Sequence, residues 1–381
     1  NYQILKKELQ ARGVKFVSET DTEVISQMIG FYYNAQAGSR AAAAVPVEER
    51  FVSAVQQAIA RFEGAFALGI LCEDVPDALI TARIGSPLII GIGNNEHFIA
   101  SDVPAILDKT KKIIYLNDGE MAVLTREEVR VMTFIGKRIV PKIDTVKFDV
   151  DAVQKQGFAH FMLKEIHEQP DVLRRMIKDR VDNGRIVLDG MNVSAQALSA
   201  VERVVIVACG TAYHAGLIGK YIIEKFVRIP VSVDAASEFR YRDPVVGKET
   251  LVIAISQSGE TADTLAAVRE ARARGAKAVS ICNVVGSSLA RESDGILYTH
   301  AGPEIGVAST KAYTAQAAML YLLALKMGAD KGTLNAKEYQ KILNGLAAVP
   351  KGYETILKDK ALIARAAKKN SHFGCFLFLG R

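Results

Sequence analysis

Hydrophobic and polar positions alternate along this chain in three textures. From Tyr2 to about Gln36 the apolar spacing predicts helix, a short strand VKFVS, then helix, and PVEERFVSAVQQAIARF at 46–62 predicts a second amphipathic helix opened by Pro46. From Gly64 to Phe134 the runs shorten and become β-rich: AFALGILC, ALITARI, PLIIGIG, HFIAS, KIIYL, GEMAVLT and VRVMTF, parted by Gly, Pro, Asn and Asp. That texture predicts an antiparallel meander, and helices followed by strands predict an α+β layer domain ending near Thr133. Residues 135–158 are polar, carry Pro141 and read as an irregular linker into the helix FAHFMLKEIHEQPDVLRRMI.

Beyond Val201 the pattern changes to continuous apolar strands alternating with helices. VVIVA precedes the helix TAYHAGLIGKYIIEKF, VSVDA a short helix, LVIAI the helix TADTLAAVREARARG, AVSIC an irregular stretch, and GILYTH the helix STKAYTAQAAMLYLLALKMG. Strands apolar on both faces, separated by helices, predict a parallel sheet covered on both sides. A helix over 336–347, a further helix and CFLFLG follow, the last reading as the first strand of another α/β unit. The chain starts at Asn1 and stops at FLFLGR, which together predict a fragment of a longer protein.

Composition narrows the class without selecting a function. With 381 residues, 49% hydrophobic and 24% charged, the chain has the balance of a globular protein of two or three domains. Its 48 basic and 42 acidic residues leave a formal +6 that is scattered, so nucleic acid is not an expected partner. The densest basic stretch, KDKALIARAAKK, reads as a solvated helix face. No apolar run is long enough for a membrane helix and no signal peptide opens the chain, which predicts a cytoplasmic protein without a membrane partner. Cys72, Cys209, Cys282 and Cys375 are widely spaced, form no CxxC pair and read as reduced core thiols.

In open parallel sheets ligands sit at the carboxyl ends of the strands. Three loops there are rich in polar side chains: CGTA at 209–212, SQSGET at 256–261 and VASTK at 307–311. The middle one joins Ser256, Gln257, Ser258 and Thr261 to Gly259, whose backbone turns tightly in front of a helix N-terminus. Neutral hydroxyls and amides there suit the oxygens of a phosphate monoester, and the lysine-bearing P-loop is absent. Against this stands the reading that the hydroxyls only cap a helix. A dinucleotide fingerprint is not satisfied, since CGTAYHAG has Ala212 at the second glycine position. His160 and His167 lie two helical turns apart, too far to share a metal, so no metal and no cofactor are expected. His214 reads as a packing residue, and Asp21 in SETDTEV as charge complementarity at a helix start.

The stretches SETDTEV, ARIGSPLIIGIG, FIASD, GFAHFMLKEIHEQP, ACGTAYHAG, SEFRYRDP, ISQSGETADTL, ICNVVGSSLARESD and EIGVASTKAYTAQ together resemble the isomerising glutamine-fructose-6-phosphate aminotransferase family, nearly end to end. The resemblance implies an α+β N-terminal-nucleophile glutaminase-type domain, partial here, over 1–135, a linker at 136–158, and an α/β SIS (sugar isomerase) domain with a parallel sheet flanked by helices over 159–350. Residues 351–381 then begin a second, truncated SIS domain. It implies glucosamine 6-phosphate synthesis from fructose 6-phosphate and glutamine: glutamine hydrolysis, ammonia transfer, and ketose-to-aldose isomerisation by a homodimer.

By motif match, Thr211, Ala212, Ser256, Gln257, Ser258, Thr261, Val307 and Ser309 look like the sugar-phosphate site, and Asp21 like the aspartate that holds the amino group of glutamine. The family's nucleophilic cysteine, oxyanion-hole Asn-Gly and glutamine-binding arginine fall before Asn1. Its catalytic glutamate, histidine and lysines fall after Arg381. The free polypeptide is therefore expected to bind sugar phosphate weakly and to catalyse nothing. Where the family commonly has Thr-Ser, the first loop reads Thr211-Ala212, one hydroxyl fewer. The rival readings are a non-catalytic SIS sugar-phosphate sensor and a different glutamine amidotransferase.

Overall fold

A computed structural model describes residues 1–37, 45–146 and 155–377. In chain order the first part carries α1 (Tyr2–Ala11), α2 (Asp21–Ala37), α3 (Val47–Ile59), β1 (Phe66–Leu71), β2 (Leu79–Ile84), β3 (Ile89–Ile92), β4 (His97–Ala100), β5 (Lys112–Tyr115), β6 (Glu120–Leu124), β7 (Val129–Thr133), β8 (Arg138–Ile139) and β9 (Ile143–Thr145). The second carries α4 (Phe161–Lys178), β10 (Val181–Asp182), β11 (Arg185–Ile186), α5 (Ala195–Ser199), β12 (Arg203–Ala208), α6 (Gly210–Phe226), β13 (Val231–Ala235), α7 (Ala236–Tyr241), β14 (Thr250–Ser256), α8 (Ala262–Ala273), β15 (Lys277–Cys282), α9 (Ser288–Glu292), β16 (Gly295–Tyr298), α10 (Lys311–Asp330), α11 (Ala336–Lys358) and α12 (Ala361–Asn370). By contacts the chain forms two compact units, one of Asn1–Val150 with Glu260–Ala262, the other of the remainder from Asp151.

The first unit has the expected antiparallel strands, but in two sheets rather than one meander: β1-β2-β6-β7-β8 and β4-β3-β5-β9. Val24, Met28, Phe51, Val55 and Ile59 of α2 and α3 pack on Ile80, Ala82, Met121 and Val123 of the first sheet. The opposite face of that sheet, through Ala122, Leu124 and Val131, meets Leu88, Ile90, Ile114 and Leu116 around the second sheet. Strand alternation produces this directly, since successive side chains leave on opposite faces and both faces here are covered. Two expectations fail locally. VKFVS is not a strand, because the backbone N–H groups of Val17 and Ser18 donate to the Glu23 carboxylate at 2.8 and 2.7 Å instead of to a ladder, and Val17 is exposed. The stretch expected as irregular linker carries β8 and β9, paired with β7 and β5. The rest of that linker, 147–154, lies outside the described residues.

In the second unit the sheet is parallel throughout, in the order β13-β12-β14-β15-β16. Val204, Ile206, Ala208, Leu251, Ile253, Ile255, Val279 and Ile281 face a core built with α4, α6, α10 and α11. Val205, Val207, Val252, Ala254 and Ala278 face the other way, onto Phe239, Leu265, Val268 and Leu289 of α7, α8 and α9. Every residue of β14 is buried; each large aliphatic side chain so placed contributes about 1.5–3 kcal/mol. α11 runs further than the predicted 336–347, continuing through Pro350 to Lys358. Residues 375–377 of CFLFLG form no strand, and the remainder lies outside the described residues.

Candidate functional site

The strand order places a topological switch point in the second unit. The chain leaves β12 through α6 on one face to reach β13, then crosses back through α7 on the other face to β14, on the opposite side of β12. Crevices of this kind, outside the carboxyl ends of strands whose connections diverge, are where such sheets bind ligands. Register fixes what meets there. Ala208 pairs with Ile255 and Ser256 with Cys282, so β12, β14 and β15 end level and the loops after β12 and β14 begin about one strand spacing, ~4.8 Å, apart.

The first loop turns at once into α6. Cys209 is its N-cap residue, with extended φ −123° and ψ 153° and no side-chain capping hydrogen bond, and the first turn contains no acidic residue. Thr211 is exposed at this end and Ala212 is 93% buried beneath it, its relative exposure being 7%. The Cys209 side chain thus covers none of the leading backbone N–H groups of the helix, where the positive end of its dipole lies.

The second loop is held from behind. Ser256 is buried and its Oγ accepts from the Gly259 N–H at 3.0 Å, closing the turn. Gly259 sits at φ +70°, and a Cβ there would lie 2.1 Å from Ser287 Oγ and 2.7 Å from Cys282 Sγ. Only glycine meets both demands. The Gln257 carbonyl accepts from the backbone N–H of Asn283 at 3.2 Å, and the Gly259 carbonyl from Leu289 N–H at 2.9 Å. Gln257, Ser258 and Thr261 are half-buried along the loop that leads into α8.

Asn283, which the sequence reading did not single out, is the pivot behind this loop. Its side chain is buried, donates through Nδ2 to the Gly302 carbonyl at 2.7 Å, and accepts at Oδ1 from Ala301 N–H at 2.7 Å and Thr299 Oγ1 at 3.1 Å. One residue therefore joins the end of β15 to the start of the segment that carries the third loop.

That third loop precedes α10 and is bracketed by two carboxylates. Glu165 of α4, buried, accepts from Ile305 N–H at 2.6 Å and from Gly306 N–H at 3.2 Å. Glu304 accepts from Ser309 Oγ at 2.8 Å, Thr310 N–H at 2.8 Å and Ala312 N–H at 3.2 Å. Val307, between them, is fully exposed. Lys311 is turned away under the loop, buried, with Nζ 2.6 Å from Glu168, while Lys164 lies 3.4 Å from the same carboxylate.

This polar underside was missed, although the signal was present. Positions 164, 165, 168 and 169 continue the helical stripe of Val172, Leu173, Met176 and Ile177, so a charged cluster had to fall on the buried face of α4. His160 and His214 are exposed, and His167 Nδ1 lies 2.8 Å from the Leu163 carbonyl within its own helix.

Strand register thus sets the loop that begins at Cys209 beside the loop that begins at Gln257, at the switch point. Asp21 belongs to the other unit, where it opens α2, exposed, in a first turn that also holds Glu23. The Glu23 carboxylate is drawn down to a pKa of about 2 by the Ser18 hydroxyl first, then by the backbone N–H groups of Val17 and Ser18.

Comparison with known proteins bears on the fold of the second unit and on the kinship of the whole chain. Residues 197–326, which span β12 to most of α10, match the SIS domain family. Glutamine--fructose-6-phosphate aminotransferases [isomerizing] of Caldanaerobacter subterraneus subsp. tengcongensis and Clostridium tetani are each 46% identical over the whole of this chain, which covers 60% of either relative. The chain spans about 60% of the length of the curated relatives it matches. A solved structure, the C-terminal domain of glucosamine-fructose-6-phosphate aminotransferase from Francisella tularensis, superposes with a TM-score of 0.55 at 41% identity, covering 57% of this chain and 61% of that one. The chain is related along its entire length to the isomerising glutamine–fructose-6-phosphate aminotransferases, and its parallel sheet with flanking helices is a SIS domain.

Proposed function

We propose that this chain is the sugar-phosphate-binding part of an isomerising aminotransferase that makes glucosamine 6-phosphate from fructose 6-phosphate and glutamine. The observation that carries the reading is the meeting of two loops at the switch point, one opening an uncapped helix and the other rich in hydroxyls and amides. Thr211, Ala212, Ser256, Gln257, Ser258 and Thr261 would hold the phosphate with neutral donors, with Val307 and Ser309 contributing from the third loop. The first unit, with its helices on two stacked antiparallel sheets, would be the glutaminase-type domain, Asp21 taking the amino group of glutamine. A homodimeric, cytoplasmic enzyme is part of the same proposal, as are an SIS domain over 159–350 and a second one beginning at 351.

The chemistry asked of the described residues is binding and orientation. A phosphate dianion at the α6 N-terminus meets backbone N–H groups already aligned with the helix dipole. Hydroxyls of Ser and Thr supply further donors without the strong background attraction of a lysine, so recognition depends on geometry. Calorimetric titration with fructose 6-phosphate tests this. Saturable heat at millimolar ligand, lost in Ser258→Ala and Thr261→Ala, is expected; equal binding by those variants would refute the site. A sugar-phosphate sensor would bind in the same way, and assay of the full-length protein for glutamate and glucosamine 6-phosphate separates the two.

A further inference from the structure

The third loop leaves the sheet at the same end as the other two. Ser256 pairs with Cys282 and Cys282 with Tyr298, so β16 ends level with β14, two strand spacings or roughly 10 Å away. The loop must then reach α10, which packs along α6: a Cβ on Gly219 would lie 2.9 Å from Leu320, and one on Gly328 2.7 Å from the Phe226 carbonyl. Because these contacts advance together along both helices, α6 and α10 run parallel. Residues 299–310 therefore run back from the outer strand toward α6 at the end of the sheet where the ligand is proposed to bind.

The loop is fixed there from outside. Glu165 lies seven residues before Val172, on the same buried stripe of α4, and is itself buried. Its Oε1 accepts from the backbone N–H groups of Ile305 at 2.6 Å and Gly306 at 3.2 Å, and its Oε2 from Gly306 at 3.2 Å. An apolar side chain would fill that stripe without the cost of burying a charge. What the carboxylate adds is charge-assisted bonds to the backbone just before Val307, stronger and more directional than neutral ones. The approach is close enough to require glycine, since a Cβ on Gly306 would lie 2.6 Å from Glu165 Oε2 and 3.4 Å from Met162 Cα. Glu304 holds the next stretch, Ser309 to Ala312, but from within the same loop, so it gives that stretch its shape and not its place.

We infer that Glu165 is a positioning residue for the sugar-phosphate site: from α4 it sets where Val307 and Ser309 stand at the strand ends, without touching the ligand. This rests on the proposed sugar-phosphate site and deepens it.

The test is titration of the full chain with fructose 6-phosphate, followed by backbone amide NMR shifts at a temperature where each variant is folded. Glu165→Ala removes both acceptor oxygens and Gly306→Ala presses the loop off α4 from the other side; each is expected to weaken binding about ten-fold. Glu165→Gln keeps one acceptor oxygen and is expected to fall between them and the wild type. Val172→Ala separates positioning from stability, because it opens a cavity on the same helix without touching the loop, and it is expected to bind within about two-fold of the wild type. Should Glu165→Ala fail to fold, Gly306→Ala and Glu165→Gln decide the matter. Wild-type affinity in those two, or an equal loss in Val172→Ala, overturns the inference while leaving the proposed site standing. A wild-type chain that does not bind the ester overturns both.

Discussion

Gly259→Ala is the sharpest perturbation available at the second loop, and its cost follows from two separate demands. The residue sits at φ +70°, where an L side chain costs about 1–2 kcal/mol. The added methyl would stand 2.1 Å from Ser287 Oγ, 2.6 Å from its Cβ and 2.7 Å from Cys282 Sγ. Relieving such a clash in a packed interior costs typically about 1–3 kcal/mol, for a total of about 2–5 kcal/mol. Gly352→Ala supplies the opposite sign, because that glycine lies in α11 with nothing within 4 Å of the added Cβ. An exposed helical glycine replaced by alanine gains about 0.5–1 kcal/mol. Equilibrium urea unfolding of both variants, followed by circular dichroism, measures the difference. Adding Ser287→Gly to Gly259→Ala should recover part of the steric share and none of the backbone share. Gly259→Ala as stable as the wild type would show that the turn at 256–261 is not held as described.

Three other outcomes are expected. Because the folded pKa of Glu23 is depressed to about 2 from the ordinary 4.5 of a glutamate, its stabilisation is fully present above about 4.5 and is lost as pH falls through 2. The stability gap between wild type and Glu23→Gln, followed by urea unfolding, should therefore close between those values; a gap independent of pH would contradict it. Lys311→Met leaves Glu168 with Lys164 alone and should cost about 1–3 kcal/mol, less than the loss of about 3–5 kcal/mol for a fully buried broken pair because Glu168 is partly exposed; an unchanged urea midpoint would show that the pair does not tie α10 to α4. Asn283→Ala removes three hydrogen bonds in the interior and should cost about 4–6 kcal/mol, at about 1 kcal/mol each plus about 1–3 kcal/mol for a group left unsatisfied; thermal unfolding reads it, and an unchanged midpoint would contradict it.

The parallel sheet was legible because strands buried on both faces must be apolar throughout: VVIVA and LVIAI appear in the structure where the sequence places them. Sheet membership in the first unit was not, since pairing β3 with β5 while β2 pairs with β6 is decided by contacts distant in sequence. VKFVS misled because β-branched composition records a preference, whereas the backbone groups went to Glu23. At the site, the loops rich in Ser, Thr and Gly announced themselves, but their supports did not. Asn283, Glu165 and Glu304 act through backbone groups of residues far along the chain or across a turn, and a carboxylate that caps a helix from outside leaves no periodic trace. Only the polar stripe on α4 carried a readable signal, through its phase with Val172 and Leu173.

The central claim is that a phosphate ester is gripped where β12 and β14 end, by backbone and neutral side-chain donors. Backbone amide shift mapping by heteronuclear NMR on the full chain, titrated with fructose 6-phosphate, tests it most directly. The account predicts that the largest saturable shifts fall on Gly210, Thr211 and Ala212 and on Gln257 to Thr261. Shifts confined to other parts of the chain, or none at millimolar ligand, would contradict it.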